Sequence, residues 1–223
     1  MLRNEHRVNF LDLTWEESLL IEDLSELEDS KKTVRLRSRG NHIFVSFFSS
    51  QSLQRNAYNY FEVAYQIPDS PRVFKDDQIK IGVTSDPSNK VCRAFSDHEE
   101  GWAFYGYSGQ LRNHSGSGGS QYSRKTTQQD VIGVFVDTKH GKISFSLNGE
   151  DLGPAFESEK LTQKPLFAGV ALLEKDSRCS FIFTKETLFK ARKVFLFTRK
   201  FGLKVGINLL PTNLFRELVT NFF

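Results

Sequence analysis

Residue types that carry enzymatic chemistry occur in this chain, but their spacing predicts no reaction centre. The five histidines are scattered: His6, His42, His98, His114 and His140. None stands at metal-ligand spacing to a second histidine or to either cysteine, so we expect no metal site. The adjacent carboxylates 76–77 and 99–100 point in different directions, and no pattern marks the burial that would separate their pKa values.

Two further catalytic patterns are also missing from the sequence. Segment 115–120 (SGSGGS) is rich in glycine but lacks the Gly-Lys-Ser/Thr ending that holds phosphate and magnesium. The sequence shows no recognisable nucleophile elbow or Ser-His-Asp arrangement. We therefore expect a protein without enzymatic activity and without a cofactor, which acts by binding.

Segment 130–156 predicts the elements that would position a binding surface. Ile143, Phe145 and Leu147 alternate with polar residues, which is the period of a strand with one buried face. Gly141 ends one turn, and Asn148-Gly149 is a favoured hairpin pair because both residues must adopt positive φ. The pattern predicts a three-stranded antiparallel meander.

Similar patterns predict further strands before and after this meander. They lie at 42–48, 59–67, 78–84, 102–107, 165–173 and 178–184. Turn-forming residues separate them, and segment 108–120 is expected to be a long polar loop. This arrangement predicts an all-β fold, a two-sheet antiparallel sandwich or jelly roll spanning 33–184.

The composition is consistent with a single large hydrophobic core and with a protein of a reducing compartment. The 223 residues are 39% hydrophobic and include 21 Phe, and all-β sandwiches of this length often form a single domain. Two cysteines far apart in the sequence do not form the disulfide framework of a small secreted protein. The sequence shows no recognisable signal peptide or membrane-spanning segment. We expect a soluble protein of the cytoplasm or nucleus.

The two ends of the chain differ in charge, although the net charge is only +3. Segment 14–30 has seven acidic and no basic residues, whereas 184–223 has eight basic and two acidic ones. Thr14 and Glu17 form a capping-box pattern that predicts a short amphipathic helix over 14–27 within an N-terminal segment 1–32. Segment 185–223 is expected to pack on the sandwich as a helix or strand, with a final helix after Pro211.

A series of short motifs runs through the middle of the chain in a fixed order. They are 59–63 (NYFEV), 81–83 (IGV), 101–104 (GWAF), 107–109 (YSG), 130–134 (DVIGV), 141–149 (GKISFSLNG), 152–156 (LGPAF) and 165–170 (PLFAGV). In order, spacing and residue types the chain resembles the SPRY domain family. The resemblance implies a bent β-sandwich whose loops form a shallow surface for short segments of other proteins.

The resemblance also implies where a partner would bind. Family members include substrate-recognition parts of ubiquitin ligases and scaffolds of chromatin complexes, and none uses this domain as an enzyme. Trp102 and the glycines of the motifs are expected to be structural. The positions that correspond to the peptide pocket, or that lie in loops beside it, are Arg37, Arg39, Arg93, Tyr107, Arg112, Asn113, Leu173, Glu174 and Lys175.

Two departures argue against transferring a peptide motif from the family. SPRY proteins with a SOCS box have a Tyr near the position of Arg112 and a Trp near that of Leu173. The expected partner is a protein or peptide, acidic or amide-rich, bound by a monomer or within a larger complex. The alternatives are glycan binding, or phosphate or nucleic-acid contact through basic residues of the tail: Lys190, Arg192, Lys193, Arg199 and Lys200.

Overall fold

Two β-sheets are stacked face to face in the computed structural model of this protein. The structure describes residues 6–17, 24–38, 44–68, 79–88, 94–114, 119–183 and 205–207. The strands are β1 His6–Phe10, β2 Ser25–Glu28, β3 Thr33–Leu36, β4 Val45–Ser52, β5 Tyr58–Gln66, β6 Ile79–Thr84, β7 Gly101–Tyr105, β8 Gln110–Arg112, β9 Ser120–Gln121, β10 Val131–Asp137, β11 Lys142–Leu147, β12 Glu150–Glu157, β13 Phe167–Leu172, β14 Arg178–Ile182 and β15 Val205–Ile207. One short helix, α1 Lys160–Gln163, precedes β13.

The larger sheet has nine strands and the smaller has six. The larger runs β12-β11-β10-β5-β14-β3-β2, with β1 beside the start of β5 and β15 beside β1. The smaller runs β4-β13-β6-β7-β8-β9. Pairing is antiparallel except for β1, which lies parallel to both β5 and β15. The expected two-sheet antiparallel sandwich is confirmed.

The core lies between the two sheets because apolar residues alternate along nearly every strand. Phe61 and Val63 of β5 face Ile81 of β6 and Trp102 of β7 within one buried cluster. Trp102 is therefore a core residue, as expected. No helix in the described part of the chain is long and apolar enough to cross a membrane.

The meander forms as its sequence predicts. Ile132 pairs with Leu147 and Val134 with Phe145 across β10 and β11. Asn148 and Gly149 join β11 to β12 with φ angles of 54° and 79°, the left-handed region that this two-residue turn requires.

The expected helix over 14–27 is wrong at both of its described ends. Trp15 makes an isolated antiparallel bridge with Ser49, and Ser25–Glu28 is strand β2. The apolar spacing looked helical because Trp15, Leu24 and Leu27 pack against the same core from two extended segments. Residues 18–23 lie outside the described part.

Segment 108–120 also differs from the expected loop. Gln110–Arg112 and Ser120–Gln121 pair as β8 and β9, so the segment extends the smaller sheet as a hairpin. The final helix expected after Pro211 lies outside the described residues. In the tail, the structure describes β15, which pairs with β1.

Candidate functional site

A second apolar cluster covers the outer face of the six-stranded sheet. Its members are Phe44, Phe48, Ala94, Phe95, Ala103, Tyr105, Ala171 and Leu173. Gly169 on β13 leaves room for the Phe95 ring, since a Cβ there would lie only 3.3 Å from a ring carbon. This face is therefore not a plain solvated surface.

One hydrogen bond fastens the 3-10 turn Phe95–Asp97 to this face, and a second lies within the turn. The Phe95 amide donates to Ser46 Oγ at 3.1 Å. The Ala94 amide donates to Asp97 Oδ2, also at 3.1 Å. The turn thereby holds the Asp97 carboxylate in a fixed place above the sheet.

Lys80, the second residue of β6, is a buried cation. Its side chain is 2% exposed, and its Nζ lies 3.1 Å from Asp97 Oδ1. The same nitrogen lies 3.9 Å from the ring centre of Phe44 and 4.4 Å from that of Tyr105. An ion pair and two aromatic faces together offset the cost of removing the ammonium group from water.

Tyr105 connects this ion pair to the rim of the sheet. Its hydroxyl donates to Asp97 Oδ1 at 3.3 Å. The guanidinium of Arg112, on the neighbouring strand β8, lies 4.5 Å from the Tyr105 ring centre, a cation–π distance. We call the following set the Tyr105 cluster: Phe44, Lys80, Asp97, Tyr105, Arg112 and Leu173.

The turn between β13 and β14 links the Tyr105 cluster to β3. Leu173 and Glu174 are buried, whereas Lys175 is exposed. The Asp176 amide donates to the Leu36 carbonyl at 2.6 Å, and the Leu36 amide donates to the Ser177 carbonyl at 2.9 Å. The C-terminal end of the turn is thus held by Leu36 of β3.

A charged depression of about 460 Å³ lies beside this turn. Its lining residues are Glu26, Arg35, Arg37, Lys175 and Asp176. Arg35 donates to Asp176 Oδ1 at 2.6 Å and to Glu26 Oε1 at 2.8 Å. The hydrogen bond from Arg35 lowers the pKa of Asp176. Arg37 is 59% exposed, with its Nε 3.6 Å from Glu26.

The structure places five of the described residues that the sequence pointed to at two places connected by the β13–β14 turn. Arg112 and Leu173 lie in the Tyr105 cluster, Arg37 and Lys175 line the charged depression, and Glu174 lies between them.

Two of the expected contact residues make contacts within the protein. Asn113 donates from Nδ2 to the Gly101 carbonyl at 2.7 Å and to the Glu99 carbonyl at 3.2 Å, which braces the start of β7. Tyr107 is half-buried against the core between the sheets. Neither belongs to the Tyr105 cluster or lines the charged depression, and their contact with a partner stays a prediction.

Several of the expected binding residues lie outside the described part of the chain. They are Arg39, Arg93, Lys190, Arg192, Lys193, Arg199 and Lys200.

Lys80, Asp97 and Phe44 are members of the site that sequence reasoning missed. A signal for Lys80 was present, since a lysine between Ile79 and Ile81 must face away from the core of the sandwich. No comparable signal marked Asp97, because its role depends on where its loop crosses the sheet.

The described residues contain no group of three or more His, Cys, Asp or Glu side chains that could hold a metal ion. Cys179 is a buried free thiol, and burial raises its pKa, which disfavours the reactive thiolate.

Comparison with known proteins agrees with this architecture. The family model of the SPRY domain matches residues 59–186, more than half of the chain. The crystal structure of the TRIM65 PSpry domain is similar, with 17% sequence identity and a TM-score of 0.57, over 79% of this chain and 94% of that one. The SPRY domain of human HERC1 has the same identity and TM-score, over 73% of this chain and 94% of that one.

Stonustoxin has the same fold within a much longer protein. Its structure is 14% identical with a TM-score of 0.56, over 78% of this chain and 29% of the toxin chain. At such identities these solved structures show the fold alone.

Proposed function

This chain belongs to the SPRY domain family, whose members are generally protein–protein interaction modules, and from that membership we propose that it binds a short peptide or a partner domain. The contact surface is the rim formed by the Tyr105 cluster, the β13–β14 turn and the charged depression. The protein acts by binding rather than by catalysis.

The observation that carries this proposal is the group of mutually bonded side chains beneath the contact surface. Lys80, Asp97 and Tyr105 hold one another through an ion pair, a hydrogen bond and a cation–π contact. A surface ordered in advance loses little conformational entropy when a partner arrives, so more of the contact energy appears as affinity.

The charges of the rim favour a partner with acidic groups. Arg37 and Lys175 are exposed, and Arg112 is partly exposed above the Tyr105 ring. The nearby carboxylates of Glu26 and Asp176 are held by Arg35. Arginine forms bidentate hydrogen bonds to carboxylates, and it is enriched among the residues that dominate binding energy.

More specifically, we propose that the protein is a substrate-recognition or scaffold subunit of a ubiquitin ligase or of another multiprotein complex. This proposal is supported by the family's use in such assemblies. The buried free thiol of Cys179 suits a reducing compartment, and we place the activity in the cytoplasm or nucleus.

Affinity capture with quantitative mass spectrometry tests the proposal. Arg112→Ala combined with Lys175→Ala removes two cations from the rim without touching the core between the sheets. We expect partners captured by the wild type to fall by about tenfold or more, as for loss of a contact of about 1.4 kcal/mol. Circular dichroism should show an unchanged fold.

Lys139→Ala is the matched control. Lys139 is an exposed cation in the turn after β10. Asp137, at the end of β10, pairs with Tyr58 at the start of β5, whereas β14 begins beside Gln66 at the other end of β5. This variant should capture partners at the wild-type yield. Equal capture by the wild type and by the Arg112/Lys175 variant would refute the site.

A further inference from the structure

Two arginines of the charged depression differ in how firmly they are held. The Arg35 side chain is 31% exposed and donates to Asp176 at 2.6 Å and to Glu26 at 2.8 Å. The Arg37 side chain is 59% exposed, and its Nε lies 3.6 Å from Glu26 Oε2, which is longer than an ordinary hydrogen bond. An anion that enters the depression therefore meets Arg37 rather than Arg35.

The backbone brings Lys175 to the same place as Arg37. The Leu36 carbonyl, directly before Arg37, accepts a hydrogen bond at 2.6 Å from the amide of Asp176, directly after Lys175. Both cations are exposed and both line the depression. The hydrogen bond from Arg35 lowers the pKa of Asp176, and the charge of Lys175 contributes to this effect. The Lys175 ammonium group is therefore close enough to act on an anion in the depression.

The backbone beside Lys175 is held in an unusual conformation. Asp176 has a φ of 66°, in the left-handed region that few residues other than glycine adopt. Its amide is bound to the Leu36 carbonyl and its carboxylate to Arg35. Backbone strain of this kind persists where surrounding contacts hold it, and it is concentrated at sites that bind ligands.

The charges of the depression favour an anion with a single negative charge. The lining residues that the structure describes have three positive and two negative side chains, a net charge of +1. One carboxylate would neutralise this charge. A phosphate monoester carries about 1.5 to 2 negative charges at pH 7, so it would leave negative charge in excess beside Glu26 and Asp176.

From this balance we infer that the depression binds one carboxylate side chain of the partner between Arg37 and Lys175, and that Glu26 selects it against phosphate. This inference rests on the proposed function and names the group that the surface recognises. The guanidinium fork of Arg37 matches a carboxylate, and the ammonium group of Lys175 adds a point charge. Glu26 determines specificity because its own charge, 3.6 Å from Arg37 Nε, repels a second negative charge on the ligand.

Selection of a phage-displayed library of random dodecapeptides on the full chain tests the carboxylate site. Peptides enriched by the wild type should share Asp or Glu at one position of their common motif. Lys175→Glu should lose this preference and enrich Lys or Arg at that position, because the charge of the depression is reversed. Lys139→Glu, at an exposed cation in the turn after β10, is the control and should retain the acidic preference.

The outcomes separate this inference from the proposed function. Enriched peptides without a shared acidic position, or an acidic preference that Lys175→Glu leaves intact, would overturn the carboxylate site although peptide binding would stand. A selection that enriches no peptide would overturn both the carboxylate site and the binding of short peptides.

Fluorescence anisotropy with one enriched peptide tests the role of Glu26. The peptide is made with Glu, Gln or phosphoserine at the acidic position. For the wild type, the Gln peptide should bind about tenfold more weakly than the Glu peptide, since a hydrogen bond to a charged group is weakened. The phosphoserine peptide should bind no more tightly than the Glu peptide.

Glu26→Gln should change this selectivity. We expect the affinity for the phosphoserine peptide to rise about fivefold relative to that for the Glu peptide, because the extra charge is no longer repelled. Partial unfolding of a variant does not alter this ratio, since both peptides meet the same protein. Glu28→Gln is the matched control, since Glu28 lies on the same strand, is also 31% exposed and is 3.9 Å from Arg35. A wild type that prefers phosphoserine, or a ratio that Glu26→Gln leaves unchanged, would overturn the assignment.

Discussion

The carboxylate of Asp130 holds together the loop before β10 and the hairpin after it. It accepts hydrogen bonds from Arg124 at 3.0 Å, from the Thr127 amide at 2.7 Å and from Asn148 Nδ2 at 2.6 Å. Burial alone would raise its pKa, but these donors lower it from 3.8 to about 2. The Asp130 that opens one sequence motif therefore has a structural role.

We predict that Asp130 makes the stability of the fold sensitive to acid. Because its pKa is lower in the folded than in the unfolded chain, its contribution is complete above about pH 4 and is lost as the pH falls toward 2. Asp130→Asn should lower the free energy of unfolding at pH 7 by about 1–2 kcal/mol, and the difference should shrink near pH 2. Urea unfolding at both pH values measures this effect.

Glu157→Gln is the control for this experiment, since Glu157 is 73% exposed. It should leave stability nearly unchanged at both pH values. An Asp130→Asn deficit of equal size at pH 7 and pH 2 would show that packing, rather than ionisation, is responsible.

At the scale of elements, an extended N-terminal segment closes one edge of the smaller sheet. The Glu16 amide donates to the Phe48 carbonyl, and the Ser50 amide donates to the Thr14 carbonyl. Trp15 between them is 1% exposed and stacks on Phe181 with ring centres 4.0 Å apart. An edge strand is thereby covered and the core is sealed.

Trp15→Ala should therefore destabilise the whole sandwich rather than a separate N-terminal unit. Loss of a buried Trp leaves a cavity that typically costs about 3–5 kcal/mol. It also removes the indole hydrogen bond to the Lys32 carbonyl. Thermal unfolding should remain a single transition at a lower midpoint. An unchanged midpoint would contradict this role, and Glu17→Ala, at a 66% exposed neighbour, is the matched control.

The sequence predicted elements with strong local signals and missed those set by distant contacts. Asn148-Gly149 fixed a hairpin, because its dihedral angles are a local property. The helix predicted over 14–27 is wrong because tertiary pairing overrides local spacing. Trp15 bridges to Ser49, and β2 pairs with β3, whose other neighbour β14 lies far along the chain.

Across the whole molecule, the two sheets present outer faces of different character. The six-stranded sheet carries the Tyr105 cluster, whereas the exposed Arg37 that we assign to partner binding directly follows β3 of the nine-stranded sheet. The nine-stranded sheet carries the buried Tyr60 and Glu62 on its outer face.

Family resemblance predicts the region of the proposed site but not the contacts that form it. The positions of Arg37, Arg112 and Lys175 could be carried over from the order of the motifs. The buried pair of Lys80 and Asp97 could not, because it forms only when the loop before β7 folds back over β6. Burial and pairing of this kind are tertiary properties.

The most direct test is an NMR titration of the labelled full chain with a partner peptide obtained by affinity capture. We predict that the largest chemical-shift changes fall on Arg37, Arg112 and residues 173–177, with little change in the turn at 137–141. Changes centred on that opposite turn, or on the outer face of the nine-stranded sheet, would contradict the proposed recognition surface.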